Sequence, residues 1–182
     1  NILKNAGELK IPMTTGILVG IGETIYEIID SIYAIKEIHK KFGNIQEVIL
    51  QNFHPKQDTS MFDHKTPNES YFKSIVALCR IIMPNMNIQI PPNLSQKNYH
   101  DFLSVGINDW GGISPITADY VNPEFSWPKI KNIEKKCASH NFKLKARFPI
   151  YPEFISKINK ELRDRMSLIA DDENYVREDY WK

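Results

Sequence analysis

Two rhythms of apolar and polar positions alternate along this chain. Short, nearly continuous apolar runs are each followed by a stretch in which apolar residues return every three or four positions. The first run, residues 11–21, predicts a buried strand. Ile25, Ile28, Ile29, Ile32, Ile35 and Ile38 then mark one face of a helix that should end near Phe42-Gly43. Residues 45–53 predict a second strand leading into a polar loop through Met61. Thr66, Pro67 and Glu69 have the spacing of a capping box, so a helix is expected from there to Met83, stopped by Pro84. A short third strand (86–90), a helix from about Ser95 to Val105, and a fourth strand end within 106–112 continue the pattern. After an irregular passage (114–127) come a helix over 128–140, an extra strand over 144–150 and a final helix opened by Pro152. The acidic, aromatic tail from Asp171 reads as a surface strap.

Strand-like and helix-like segments in alternation are the mark of parallel βα units. The expected fold is α/β, a partial parallel (β/α) barrel, with residues 1–150 forming the half-barrel and 151–182 a helix and tail packed on it. Four units are half of an eight-stranded barrel, which leaves open sheet edges. The main strands should end near Gly20, Asn52, Pro91 and Asn108 at one rim, where such barrels place their chemistry. The chain opens on Asn1, and residues 1–7 read as the last turns of a helix closed by glycine. The expectation is therefore a C-terminal portion of a longer protein, or one piece of a split one.

With 182 residues, 42% hydrophobic and 25% charged, the chain has the composition of one globular domain. A net charge of +1 gives no long-range reason to expect nucleic acid or an anionic membrane as partner. No apolar run is long enough to span a bilayer, and no secretory signal precedes the first strand, which together with two isolated cysteines points to the cytoplasm. Cys79 and Cys137 fall in separate helical patterns and are expected as buried thiols.

Three segments carry candidate chemistry. In Gly16-Ile17-Leu18-Val19-Gly20-Ile21-Gly22-Glu23-Thr24 the glycines either admit a flat ligand or only shape a turn into the helix. It is neither a dinucleotide fingerprint, since Ile25 stands where a third glycine is needed, nor a P-loop, which needs Lys-Ser/Thr. The amide of Asn52 can read a ribose or adenine edge, or tie its own loop; Phe53 can lie against a base, or fill the core. In Asn108-Asp109-Trp110-Gly111-Gly112, Asp109 either orients a polar substrate or makes an Asx turn. Ser114, Thr117, Asp119 and Asn122 form a polar loop open to the same two readings. Five histidines without paired spacing argue against a zinc or non-haem iron site.

The glycine segment resembles the Gly-x-Ile-x-Gly-x-x-Glu motif of radical S-adenosylmethionine enzymes, with Gly16, Leu18 in place of Ile, Gly20 and Glu23 at its four positions. Further blocks resemble the 5-deazaflavin-forming branch of that family, the first-subunit 7,8-didemethyl-8-hydroxy-5-deazariboflavin synthases. These blocks are Gln46-Glu47-Val48-Ile49-Leu50-Gln51-Asn52-Phe53, Ile90-Pro91-Pro92-Asn93-Leu94, Asn108-Asp109-Trp110-Gly111-Gly112, Val121-Asn122-Pro123-Glu124 and Tyr151-Pro152-Glu153. The chain departs from the branch at Asp58-Thr59-Ser60-Met61, usually Gly-Thr-Pro-Met, and at His54, usually Arg.

The resemblance implies S-adenosylmethionine as cofactor, bound by Gly16, Leu18, Gly20, Glu23, Asn52 and Phe53, with Asn108 and Asp109 toward substrate. It also implies a [4Fe–4S] cluster, but the Cys-x3-Cys-x2-Cys motif that holds it is absent here and belongs to the N-terminal half of such enzymes. In the parent enzyme a reduced cluster would cleave the cofactor, and the resulting radical would abstract hydrogen from a hydroxybenzyl–ribityluracil adduct that then cyclises with loss of ammonia. This chain alone is expected to be inactive, with no metal ligands of its own and no assignable catalytic acid or base. Its expected partners are the small-molecule adduct, an N-terminal half and the tyrosine-using partner subunit. The alternatives are a related radical enzyme, that partner subunit or a menaquinone-pathway relative, and a non-catalytic half-barrel acting as an interaction subunit.

Overall fold

The isoleucine repeat folds as expected. In a computed structural model that describes residues 1–95, 97–114 and 116–182, it forms helix α2 (Ile25–Phe42), with Ile28, Ile32 and Ile35 buried. Gly43 closes it in the left-handed conformation (φ 59°), its N–H donating to His39 O. Ahead of it stand α1 (Ile2–Glu8) and strand β1 (Met13–Val19). After it come β2 (Ile45–Asn52), α3 (Glu69–Ile82) and the two-residue β3 (Ile88–Gln89). The later helices are α4 (Ile130–Ser139) and α5 (Lys160–Ser167).

The three strands form one parallel sheet in the order β1-β2-β3. Val19, Val48, Leu50, Ile88 and Ile90 face the helices and pack with Ile28 and Ile32 of α2 and with Phe72, Ile75 and Val76 of α3. The opposite face is open at β1, where Thr14, Gly16 and Leu18 are exposed and alternate with better-covered neighbours. Among the described residues β1 pairs only with β2, so its other edge has no strand partner.

Several elements differ from expectation. The N-cap of α3 is Asn68, whose Oδ1 accepts from Ser70 N–H, so the helix starts two residues after Pro67 and Thr66 is no cap. The reciprocal capping box sits instead at Thr24 and Glu27, opening α2. The stretch expected as a helix over 95–105 holds a 3-10 turn, Tyr99–Val105, preceded by another at Pro92–Ser95, with Gln96 between them outside the described residues. The extra strand over 144–150 shrinks to one antiparallel bridge, Ala146 with Val176 of the tail. The final helix begins as a 3-10 turn (Pro152–Lys157) before α5.

The fourth strand is reduced to a single parallel bridge, Gln89 with Asp109. Asn108 N–H donates to Ile88 O, and Ile90 N–H to Asp109 O. The Asn108 side chain explains the short pairing. Its Oδ1 takes Ile88 N–H and Arg80 Nη2 while its Nδ2 donates to Asn87 Oδ1, so it caps the edge where the chain enters the sheet.

Candidate functional site

At the C-terminal end of β1 the chain turns through Gly20, whose φ of 100° favours glycine and where a Cβ would lie 2.7 Å from Pro67 Cδ. The Glu23 carboxylate fixes this turn, accepting from Gly20 N–H (2.6 Å) and Ile21 N–H (2.7 Å). Gly16 answers to the sheet itself, since a Cβ there would stand 2.3 Å from Ile49 O on the neighbouring strand. Leu18 lies on the same open face, 39% exposed.

Beside this turn, β2 ends at Asn52, in register with Val19. The buried Asn52 amide donates to Leu94 O (3.1 Å), and its Nδ2 lies 2.9 Å from His54 Nε2. Burial pushes the His54 imidazole down; the Leu94 carbonyl opposes this, and Lys56 adds to it. The His54 ring rests on Phe125 at 4.4 Å, and Lys56 pairs with Glu124, so the 119–125 loop is clamped over this rim. Phe53 is buried, with the His64 ring edge-on to it. Asp119 accepts from Asn93, Asn122 and two backbone N–H groups, so the polar loop spends these side chains on holding itself in place.

Asp109 does not stand at this rim. Gly16, Ile49, Gln89 and Asp109 are on one level of the register, three residues below Val19 and Asn52, or roughly 10 Å along the strands. The expectation that Asn108 marks a strand end beside Asn52 is thus corrected, because Asn108 caps the entry into the sheet. Asp109 Oδ1 does accept from Gly111 N–H (2.6 Å), the Asx turn, but the carboxylate also meets Arg147 (Nε to Oδ2, 2.5 Å) and the Tyr151 hydroxyl (2.7 Å). Both groups reach Glu47 as well, Arg147 Nη2 and Tyr151 Oη lying 2.8 and 2.9 Å from its Oε1. Burial works against the Arg147 charge, yet its carboxylate neighbours push it up overall. Burial and the same carboxylates push the Tyr151 phenol up. A cavity of about 740 Å³ opens beside this cluster, lined among others by Ile49, Gln89 and Trp110.

The residues expected at the site therefore occupy two levels: Gly20, Glu23, Asn52 and Phe53 at the rim, Asp109 at the floor, with Gly16 and Leu18 on the open face of β1. Arg147, 38 residues from Asp109 and 100 from Glu47, went unrecognised because a lone arginine in a strand-like run gives no sign of what it will pair with.

No protein-family model matches the chain. It is 49% identical over 156 residues to a protein of Methanocaldococcus jannaschii, covering 86% of this chain and 44% of that protein. It is 42% identical over 178 residues to one of Methanopyrus kandleri (97% and 53%), and 46% identical over 167 residues to one of Methanococcus maripaludis strain C6 (91% and 47%). All three are named 7,8-didemethyl-8-hydroxy-5-deazariboflavin synthase. The chain is homologous to the C-terminal half of these synthases. It spans about half the length of the deazariboflavin synthases it matches.

The two cofactors that the resemblance to such synthases implies fare differently against these residues. The open face at Gly16 and Leu18 has room for an adenosine-like group; Asn52, buried and in register with the helix-facing Val19, ends the next strand and has a carbonyl oxygen with no hydrogen bond among the described residues. An iron–sulfur cluster does not fit. Cys79 and Cys137 are buried in α3 and α4, burial pushes the Cys79 thiol up to about 11, and Cys137 Sγ accepts from Trp110 Nε1. Anaerobic reconstitution of the chain alone with iron and sulfide is therefore expected to leave it colourless. Four-iron stoichiometry with the matching visible absorption would overturn this. No helix among the described residues is long and apolar enough to cross a membrane.

Proposed function

We propose that this chain is the C-terminal half-barrel of a radical S-adenosylmethionine deazaflavin synthase and supplies the adenosyl-side wall and the substrate floor of a site completed by an N-terminal half. The observation that carries this reading is the 42–49% identity to deazariboflavin synthases, which in the Methanopyrus kandleri relative extends over 178 residues and so includes both levels of the site. S-adenosylmethionine, when bound, supplies the hydrogen-abstracting chemistry.

The residues here bind, orient and exclude water. The Glu23-held turn presents Gly22, with open space where a side chain would stand, to a ribose, and Leu18 offers an apolar face to a ring. Asn52, tied by its amide nitrogen, keeps a carbonyl acceptor for an adenine or ribose donor. The clamped 119–125 loop shuts water out of the rim, and Asp109 with its neighbours forms a polar floor toward the hydroxybenzyl–ribityluracil adduct. Holding the reacting groups in register is the protein's share of the rate.

The test is anaerobic assembly of this chain with the N-terminal half of the Methanocaldococcus jannaschii relative, reconstituted and given cofactor and adduct. Deazaflavin fluorescence is the expected result. No product, while the full-length relative makes it in the same assay, would overturn the reading.

A further inference from the structure

Glu47 is the one ionisable residue of the buried strand β2, and only 4% of it is exposed. Its four neighbours come from three places: Thr14 on β1, Asp109 from the bridge to β3, and Arg147 and Tyr151 from the segment before the Pro152–Lys157 turn. Glu47 Oε1, Tyr151 Oη and Asp109 Oδ2 stand in a row at 2.9 and 2.7 Å. Two such contacts between oxygens need two protons, and the phenol has one to give. The second must sit on a carboxyl group.

The donors around each acid decide which. Asp109 takes Arg147 Nε at 2.5 Å and Nη2 at 3.3 Å, with Gly111 N–H at 2.6 Å, the surroundings of a carboxylate. Glu47 has one Arg147 contact and the Thr14 hydroxyl at 3.1 Å. One guanidinium cannot match two buried anions, and two carboxylates sharing a site do not both ionise easily.

We propose that Glu47 is a carboxylic acid in the folded chain, donating to Tyr151, which donates to Asp109, so that one buried proton fastens the 147–151 segment to the sheet. Arg147 and Asp109 then balance one to one. Glu47 acts as a positioning residue, setting where Arg147 and Tyr151 stand on the cavity floor. Burial, the largest influence on Glu47, pushes its carboxyl up in agreement with this, with Asp109 in the same direction and Arg147, Tyr151 and Thr14 opposing. The proposal stands on this cluster alone and does not depend on the substrate assigned to the site.

Infrared spectroscopy of the chain carrying 13C-labelled glutamate carboxyls, alone or in its co-expressed assembly, tests it at about pH 6, where ordinary glutamates are ionised. One protonated-carboxyl band is expected in the unsubstituted protein and should vanish in Glu47→Gln. A raised folded value means the group's contribution to stability is complete below the ordinary 4.5 and is lost as pH rises through the folded value. The unfolding constant of the unsubstituted protein relative to Glu47→Gln should therefore climb about tenfold per pH unit across that interval. Absence of the band would overturn the proposal even if Glu47→Gln failed to fold. So would a Glu47→Gln variant destabilised equally at every pH, the signature of a lost ion pair.

Discussion

Replacing Arg147 by alanine should destabilise the fold by about 3–5 kcal/mol, the range for breaking a buried ion pair by removing one partner. The side chains of Arg147, Glu47 and Asp109 are 17%, 5% and 10% exposed, so the pairs are largely withdrawn from water. The substitution leaves Asp109 buried against the Tyr151 hydroxyl and Gly111 N–H with no cation, and removes the charged ties of the 147–151 segment to Glu47 and Asp109. The loss should be partly recovered by adding Asp109→Asn, which removes the stranded charge. Denaturant unfolding of the chain, or of its assembly with an N-terminal half, measures this. A change below about 1 kcal/mol, the scale of an exposed pair, would mean that the cluster is solvated.

The 182-residue chain expressed alone should self-associate or fold only in part, and co-expression with an N-terminal half that carries a cysteine triad should rescue it. The cause lies at β1. Its outer edge has no strand partner among the described residues, and an open edge of a parallel sheet is a template for another chain. Apolar side chains crowd the same side of the sequence: Ile2 and Tyr26 are 76% and 75% exposed, and Leu9, Ile11, Leu18 and Ile21 are exposed too. Each such side chain left in water forgoes roughly 1.5–3 kcal/mol of burial, so a few rival the net stability of a whole domain. A second strand along β1 would satisfy the edge, and a neighbouring helix would cover Ile2 and Tyr26. Size-exclusion chromatography with thermal melting decides the matter. A monodisperse monomer with a cooperative, high melting temperature would show a self-sufficient fold and favour the interaction-subunit alternative.

Local signals in the sequence were reliable where one element settled its own shape. The isoleucine spacing fixed α2 and its buried face, and Gly43 gave its end. Competition between neighbouring signals misled at α3, where Thr66-Pro67 has the look of a cap but Asn68 reaches the first free N–H. Signals that depend on distant parts of the chain were illegible. A fourth strand end is expected within 106–112, yet how much of it pairs depends on Asn108 capping Ile88 N–H, twenty residues back. The turn function of Glu23 lay within reach, since its partners are two and three residues away. The floor cluster did not, because Glu47, Asp109 and Arg147 are joined only by the folded sheet.

The register offset between Asn52 and Asp109 would make the proposed site a ruler. Three residues of strand separate the two levels, so a molecule touching both the Gly20 turn and the Asp109 carboxylate must reach across roughly 10 Å. A single aromatic ring meets one level or the other, whereas a ring carrying an extended chain can meet both. On the proposed function, selection by length would accompany selection by polarity, and shortening a ligand's chain would weaken its grip at one end while leaving the other contact intact.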